Sequence, residues 1–388
     1  MELKPGYKQT EVGVIPEDWD IRSLQDLCKE EITYGIVQCG PHIPGGIPYI
    51  RVSDMDGPIL EREKMLCTSS QIASRFRRSE VRHGDIVYAL RGRLGDVRSV
   101  PLDLDGANLT QGTARLSPSF RVHSSSLLWA LRNPEVVLRA CAESKGTTFM
   151  EITLADLRQI KIALPPEPEQ IKIASTLSDI EDHLTTLDHE LAKKRNIKQA
   201  AMQELLTGKR RLPGFEGEWE VKRLGDVLTI CHGKSQRDVE ITDGPYPILA
   251  TGGQIGTAER PLYSKPSVLI GRKGTINKPQ YMDTPFWTVD TLFYSAMKEE
   301  NSARFFYYLF CAIDWMQFNE ASGVPSLNAK TIDSVEVDCP DTQEQDAIAS
   351  LLSGMDEELQ ALEANLAKVG NLKQGMMQQL LTGKIRLA

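Results

Sequence analysis

The sequence predicts an α+β protein: two β-rich domains separated by two long antiparallel coiled-coil helices, arranged as a pseudo-two-fold internal repeat. Three observations predict it. The stretch Glu169–Leu212 returns 175 residues later as Glu344–Leu387 without a gap, about 24 of 44 positions being identical. Chance does not give this; duplication does. Each copy spaces its apolar residues alternately three and four apart, the pattern of a two-helix seam. The regions between the copies are broken by Gly and Pro into short β-rich stretches.

In chain order, residues 1–150 form the first β-rich domain. It opens with Pro5-Gly6-Tyr7 and then Trp19-Asp20-Ile21-Arg22-Ser23-Leu24. The stretch 80–97 reads as strands, 127–142 as one apolar helix, and 145–148 as a small-residue loop. Residues 151–212 are the first spacer helix region. Pro165, Pro166 and Pro168 set its start and Gly208 its end. Leu177, Leu184, Leu187 and Leu191 lie on its seam, after which Lys194 and Lys198 fall in the same register.

Residues 213–330 form the second β-rich domain. Pro213-Gly214-Phe215 and Trp219-Glu220-Val221-Lys222-Arg223-Leu224 echo the N-terminal segment. The stretch 267–282 reads as strands, 303–318 as an apolar helix and 322–328 as a loop. Residues 331–388 repeat the spacer helix region, with a capping box at Thr342–Gln345, seam residues Leu352, Leu359, Leu362 and Leu366, and Gly383 at the close. Each helix is expected to run about 40 residues, or roughly 60 Å. Because the PG-aromatic segment is what would follow the C-terminal repeat in a closed ring, the termini are expected near one another.

Composition narrows the function. The chain has 388 residues, 41% hydrophobic and 25% charged, which suits a soluble multi-domain protein. No apolar run approaches the roughly 18 residues of a membrane span, and the start lacks the apolar core of a signal peptide. A cytoplasmic location is expected. The seven cysteines are dispersed, with no CxxC pair, and read as reduced thiols. The adjacent pair Cys231-His232 lacks partners at metal-ligand spacing, so no metal site is expected.

A net charge of −8 confines any nucleic-acid contact to a local patch. Residues 71–98 hold arginines 75, 77, 78, 82, 91, 93 and 98 against Glu80, Asp85 and Asp96. The guanidinium fork suits phosphate and guanine, so Arg75, Arg77, Arg78, Arg91, Arg93 and Arg98 are candidate DNA contacts. In the second domain the candidates are Lys234, Gln236 and Arg237 in one loop and Arg272, Lys273, Asn277 and Lys278 in another.

Catalytic signatures are missing. "ICHGKS" (230–235) lacks the leading glycine of a P-loop, that position being Leu228. There is no GxGxxG, no [DN]PP[YF] (Pro165-Pro166 is followed by Glu167), no GxSxG and no HExxH. The residues point to a non-catalytic chain with no cofactor of its own.

The junctions "GTTFMEITLADLRQIKIALPPEPEQIKIASTLSDIED" (146–182) and "SGVPSLNAKTIDSVEVDCPDTQEQDAIASLLSGMDEEL" (322–359), with the paired "LLTGK" tails, resemble the specificity subunit of type I restriction-modification systems. The second junction departs from the family at Cys339-Pro-Asp-Thr, where Leu-Pro-Pro is usual. The resemblance covers essentially the whole chain. It implies two target recognition domains, each reading half of a bipartite site in double-stranded DNA, with the helices as spacer. It implies two modification subunits that methylate adenine at N6, and restriction subunits that translocate and cut. S-adenosylmethionine, ATP and Mg are then expected on those partners. Two other readings are a specificity subunit of a motorless methyltransferase or restriction system, and a coiled-coil scaffold with no DNA role. An unrecognised enzyme is a further class.

Overall fold

Asn133 and Pro134 divide the apolar stretch 127–142 into two helices where one was expected. Pro134 has no N–H with which a helix could continue. The Asn133 side chain instead starts a new helix by accepting from the Glu135 N–H at 3.0 Å. Helix α1 is Ser124–Arg132 and α2 is Pro134–Ala142. The other main helices are α3 (Glu167–Leu205), α4 (Ala303–Ala312) and α5 (Thr342–Leu380). Helix α4 is shorter than the expected 303–318: a 3-10 turn, Trp315–Phe318, follows it with Asp314 as cap. The computed structural model describes residues 4–146 and 150–387, so Thr147 and Thr148 of the expected 145–148 loop lie outside the described residues.

Two compact units divide the chain. Unit 1 is Met1–Thr186 with Leu366–Ala388, and unit 2 is Leu187–Asn365. Both build the same sheets. In unit 1 a four-stranded antiparallel sheet has the order Thr33–Tyr34, Thr113–Leu116, Ile86–Ala89, Val97–Ser99; in unit 2 the order is Leu228–Cys231, Leu292–Met297, Ser267–Gly271, Gln280–Met282. A three-stranded sheet accompanies each, with one parallel pair: Ile47–Ile50 beside Asn108–Leu109, and Tyr246–Ala250 beside Trp287–Thr288. Strand Asp20–Ser23 pairs with Lys161–Leu164, and Glu220–Arg223 with Glu336–Cys339. The duplication evident in the helices therefore extends through domains whose sequences have diverged.

Each unit is closed by the same three side chains. In unit 1, buried Glu169 at the start of α3 accepts from the Trp19 indole at 3.0 Å and from the Arg386 guanidinium at 2.8 Å through both Nε and Nη2. In unit 2, buried Glu344 accepts from Trp219 at 2.9 Å and from Arg211 at 2.7 and 2.6 Å. Arg386 also donates to the Asp18 carboxylate at 2.9 and 2.7 Å, and the Tyr7 hydroxyl donates to the Gly383 carbonyl at 2.8 Å. The segments around Tyr7–Asp18 and Gly383–Arg386 thus meet inside unit 1.

The long helices are 39 residues each. Gly208 and Gly383 take φ of +65° and +68° just past their ends, a left-handed conformation that turns the chain. The start of α5 differs from the expected capping box. Asp341, not Thr342, caps it by accepting from the Glu344 N–H at 2.9 Å, and Gln345 turns to the Pro340 carbonyl at 3.0 Å. Within unit 1, Ile173 and Leu177 of α3 share a core with Leu380, and Glu181 accepts from Lys373 of α5 at 3.0 Å. Within unit 2, Leu205 shares a core with Ile348 and Leu352, Lys194 and Arg195 pair with Glu358 and Glu363 at 2.6 Å, and Lys198 pairs with Asp356. In both units residue numbers fall along α5 as they rise along α3, so the segments run antiparallel. The lysines that interrupt the apolar register are matched by carboxylates on the other helix. Of the seam leucines, 177, 187, 191 and 352 are buried, and 184, 359, 362 and 366 half-buried.

Candidate nucleic-acid interface

The arginine-rich segment of unit 1 is held by groups that the sequence alone does not connect. Buried Arg115 pairs with Asp85 at 3.4 Å and with Glu30. It also donates to the carbonyls of Arg78 at 3.1 Å and Glu80 at 2.6 Å. Asn108, buried beside it, accepts from the Ser79 hydroxyl at 2.7 Å and donates to the Phe76 carbonyl at 3.2 Å. A buried cation and a buried amide thus fix the turn Arg77–Ser79, whose Arg77 and Arg78 face outward. Arg78 lies over the Tyr34 ring, 6.0 Å from its centroid.

The candidate arginines then separate by what they touch. Arg98 is committed to the fold: it donates to the carbonyls of Gly57 at 2.8 Å and Met55 at 2.7 Å, and burial pushes its pKa down. Arg93 pairs with Asp56 and with Asp96 at 3.5 Å. Arg82 pairs with Glu80 at 2.9 Å. Arg75, Arg77 and Arg91 are exposed, and none has an ion-pair partner among the described residues. The free positive charge is smaller than the sequence count and sits in fewer places.

Arg91 opens onto a groove of about 680 Å³ lined also by Arg51, Ser53, Gln111 and Glu151. Arg51 is fixed by a two-pronged pair with Asp54, at 3.0 and 2.6 Å. Ser53 and Gln111 were not singled out from the sequence. Gln111 lies between two short strands in a stretch without a motif, and only the fold brings it to Arg91.

Unit 2 puts its candidates on the same framework. Gly35 and Gly233 each follow the first strand of the four-stranded sheet. A Cβ at either would lie 1.9 Å from the Leu109 carbonyl oxygen or 2.0 Å from that of Val289, so only glycine lets the loop pass. After them come Ile36–Cys39 and Lys234–Arg237. Gly92 and Gly274, with φ of +76° and +91°, each make a turn whose N–H bonds the carbonyl of Met150 at 3.0 Å or Pro325 at 2.8 Å. Arg91 and Lys273 immediately precede them. Lys273 therefore stands where Arg91 stands, and Lys234, Gln236 and Arg237 lie in the loop that corresponds to Ile36–Cys39; the Leu90 and Arg272 N–H groups bond the carbonyls of Gly112 and Thr291, which puts Asp290 where Gln111 stands.

Lys234, Arg237, Lys273, Asn277 and Lys278 are exposed and Gln236 half-buried. Arg272 donates to the Asp290 carbonyl at 3.3 Å. Chemically, each unit offers a shaped polar surface with forked donors, amides and hydroxyls. Among the described residues no cluster of His, Cys, Asp and Glu could hold a metal ion, and no helix is long and apolar enough to cross a membrane.

Residues 16–198 and 216–369 match the family model described as the type I restriction modification DNA specificity domain. The chain belongs to this family. The type I restriction enzyme EcoBI specificity subunit of Escherichia coli is 27% identical over 203 residues, a match covering 50% of this chain and 42% of that protein. The type I restriction enzyme MjaVIII specificity subunit of Methanocaldococcus jannaschii is 22% identical over 96% of this chain and 94% of its own. Among solved structures, a type I restriction-modification S subunit from M. genitalium has the same fold, with a TM-score of 0.63 at 18% identity over 98% of each chain. The type I specificity subunit is a non-catalytic member of a complex that binds DNA and assembles with modification and restriction subunits.

Proposed function

We propose that this chain supplies the address of a type I restriction-modification enzyme acting in the cytoplasm. Its recognition domains, within 1–150 and 213–330, each read one half of a bipartite site in duplex DNA, largely from the major groove. The spacer regions, 151–212 and 331–388, set the gap between the halves and receive two modification subunits. Those subunits take S-adenosylmethionine and methylate adenine at N6 in a base turned out of the duplex; restriction subunits bring ATP and Mg.

One observation carries this reading: two units repeat the same sheets and the same glycine-pinned loops, yet present different side chains there. Where one unit has Arg91 and Gln111, the other has Lys273 and Asp290. A fixed framework with changed contact residues is what reading two unlike half-sites demands. Arginine suits guanine and glutamine suits adenine, in each case through paired hydrogen bonds. Arg75 and Arg77, exposed at a turn, suit phosphate, which positions without specifying.

The test is selection of bound duplexes from a random library by the chain assembled with its modification subunits. Recovery of two fixed blocks separated by an unselected gap supports the reading. Recovery of unselected sequence from an assembled complex contradicts it.

A further inference from the structure

We infer that in each unit an aromatic ring, a cation and a carboxylate form a second fastening that fixes the angle of the recognition domain on the long helices, and that these residues decide how strictly the gap between half-sites is kept. This rests on the reading above, in which each recognition domain meets one half-site.

The fastening has the same parts in both units. In unit 1 the Trp129 indole of α1 donates to the Ser178 hydroxyl of α3 at 3.0 Å. The Arg132 guanidinium lies 4.9 Å from the centroid of the Trp129 ring and the Lys373 ammonium of α5 5.3 Å from it. Both cations also donate to Glu181 of α3, at 2.5 and 3.0 Å. In unit 2 the Tyr308 hydroxyl of α4 donates to Asp356 of α5 at 2.7 Å. Lys198 of α3 pairs with the same Asp356 and lies 5.4 Å from the Tyr308 ring centroid. Arg304 donates to the Ser353 hydroxyl of α5 at 2.8 Å.

Ser178 and Ser353, Glu181 and Asp356, and Lys198 and Lys373 are pairs related by the 175-residue repeat. Trp129 and Tyr308 correspond as well. The His123 N–H bonds the Gln170 side chain at 3.1 Å and the Ser302 N–H bonds Gln345 at 2.9 Å, and each ring follows six residues later. The repeat exchanges which long helix gives the lysine and which the acid, yet ring, cation and acid meet in both units. They were kept while the interiors of the recognition domains diverged. Apolar side chains could bury the same surface, but hydrophobic contact is non-directional, whereas hydrogen bonds hold an orientation.

The first fastening is Glu169 with Trp19 and Arg386, or Glu344 with Trp219 and Arg211. Glu181 lies 12 residues after Glu169, and Asp356 lies 12 after Glu344, a distance of about 18 Å along the helix. One point of attachment lets a domain swing; two points so far apart do not. Each base pair added between half-sites moves the far one by about 3.4 Å and turns it by about 34–36° around the duplex. Rejecting a gap wrong by one base pair therefore needs each domain held to a smaller angle, and the second fastening holds it.

The test uses the chain assembled with its modification subunits. The duplexes carry the two half-sites recovered by the selection above, at the wild-type gap and at gaps one base pair shorter and longer. The readout is the ratio of methylation rates at wrong and right gaps, which a smaller amount of folded complex does not move. Binding ratios for the same duplexes are read alongside, so that a variant slow in methylation is still measured. The variants are Glu181→Gln, Asp356→Asn and both together, which remove charge and keep size. Glu181→Asp and Asp356→Glu are the conservative variants, each carrying the acid of the other repeat. Val87→Ala, in a recognition-domain core away from the fastening, reports a merely structural loss.

The ratio should rise roughly tenfold in each charge-removing variant, the factor that one hydrogen bond to a charged group supports, and further in the double variant. It should return toward the wild-type value in the conservative variants and stay there in Val87→Ala. An unchanged ratio in the double variant, or an equal rise in Val87→Ala, would overturn the inference and leave the proposed function standing. Equal methylation and binding at all gaps by the wild-type complex would overturn both.

Discussion

Replacing Arg386 with alanine should unlock unit 1. Glu169 is 5% exposed and holds its carboxylate among three donors: the Trp19 indole, the Leu387 N–H at 3.3 Å and the Arg386 guanidinium. The substitution removes two charge-assisted hydrogen bonds at 2.8 Å and the only cation paired with it among the described residues. Removing one partner of a buried pair costs about 3–5 kcal/mol, because the other charge is left buried. The Arg386 side chain is 35% exposed, so water fills part of the gap and the lower end, about 3 kcal/mol, is expected. For a unit of this size that lowers the midpoint by about 6–12 °C.

Two units can melt separately, so calorimetry should be read with amide exchange, which localises the loss to Tyr7–Thr10, Gly13–Pro16 and the start of α3. Arg211→Ala should do the same in unit 2, where Glu344 is 0% exposed and the Arg211 side chain 25%. A loss under about 0.5 kcal/mol, the scale of an ordinary surface change, would refute the reasoning by showing that Glu169 does not depend on Arg386.

Other expectations follow from the same geometry. A four-residue insertion after Leu191 adds about 6 Å of helix; the methylated motif should keep both half-sites and gain a longer gap, and an unchanged motif would defeat the spacer role. Arg91→Ala should cost about 1–3 kcal/mol against the specific site and relax one base position, whereas Arg77→Ala should weaken all sequences alike and reduce the salt slope by about one. Titration of binding against salt separates the two, and identical behaviour would remove the assignment. Asp18 is held below its ordinary value of 3.8 by the hydrogen bond from Arg386. A depressed folded pKa adds stability above the unfolded value and loses it as pH falls through the folded one. The unit 1 midpoint should therefore drop more steeply below about pH 4 in the wild type than in Asp18→Asn, and equal slopes would contradict the pairing.

The repeat was legible because duplication leaves identities that need no structure to see, and the long helices because their three-and-four spacing runs for about five turns in each copy. What was misread was local competition. Asn133 reads as one more polar residue until its side chain is seen capping α2, and Thr342 fits a capping box that Asp341 pre-empts. The arginine segment was legible as charge and illegible as chemistry. Nothing near Arg98 says that the carbonyls of Met55 and Gly57, more than 40 positions away, will take its donors. Gln111 carries no motif at all and reaches the groove only because the Asn108–Leu109 strand pairs parallel with Ile47–Ile50.

If this chain sets where a modification enzyme acts, methylation in the cell must depend on it. Methylation-sensitive long-read sequencing of DNA from cells making this chain with its modification subunit, against cells lacking only this chain, tests it most directly. Methyl-adenine is expected in both halves of one split motif, present with the chain and gone without it. An assembled complex that leaves no chain-dependent methylation would contradict it.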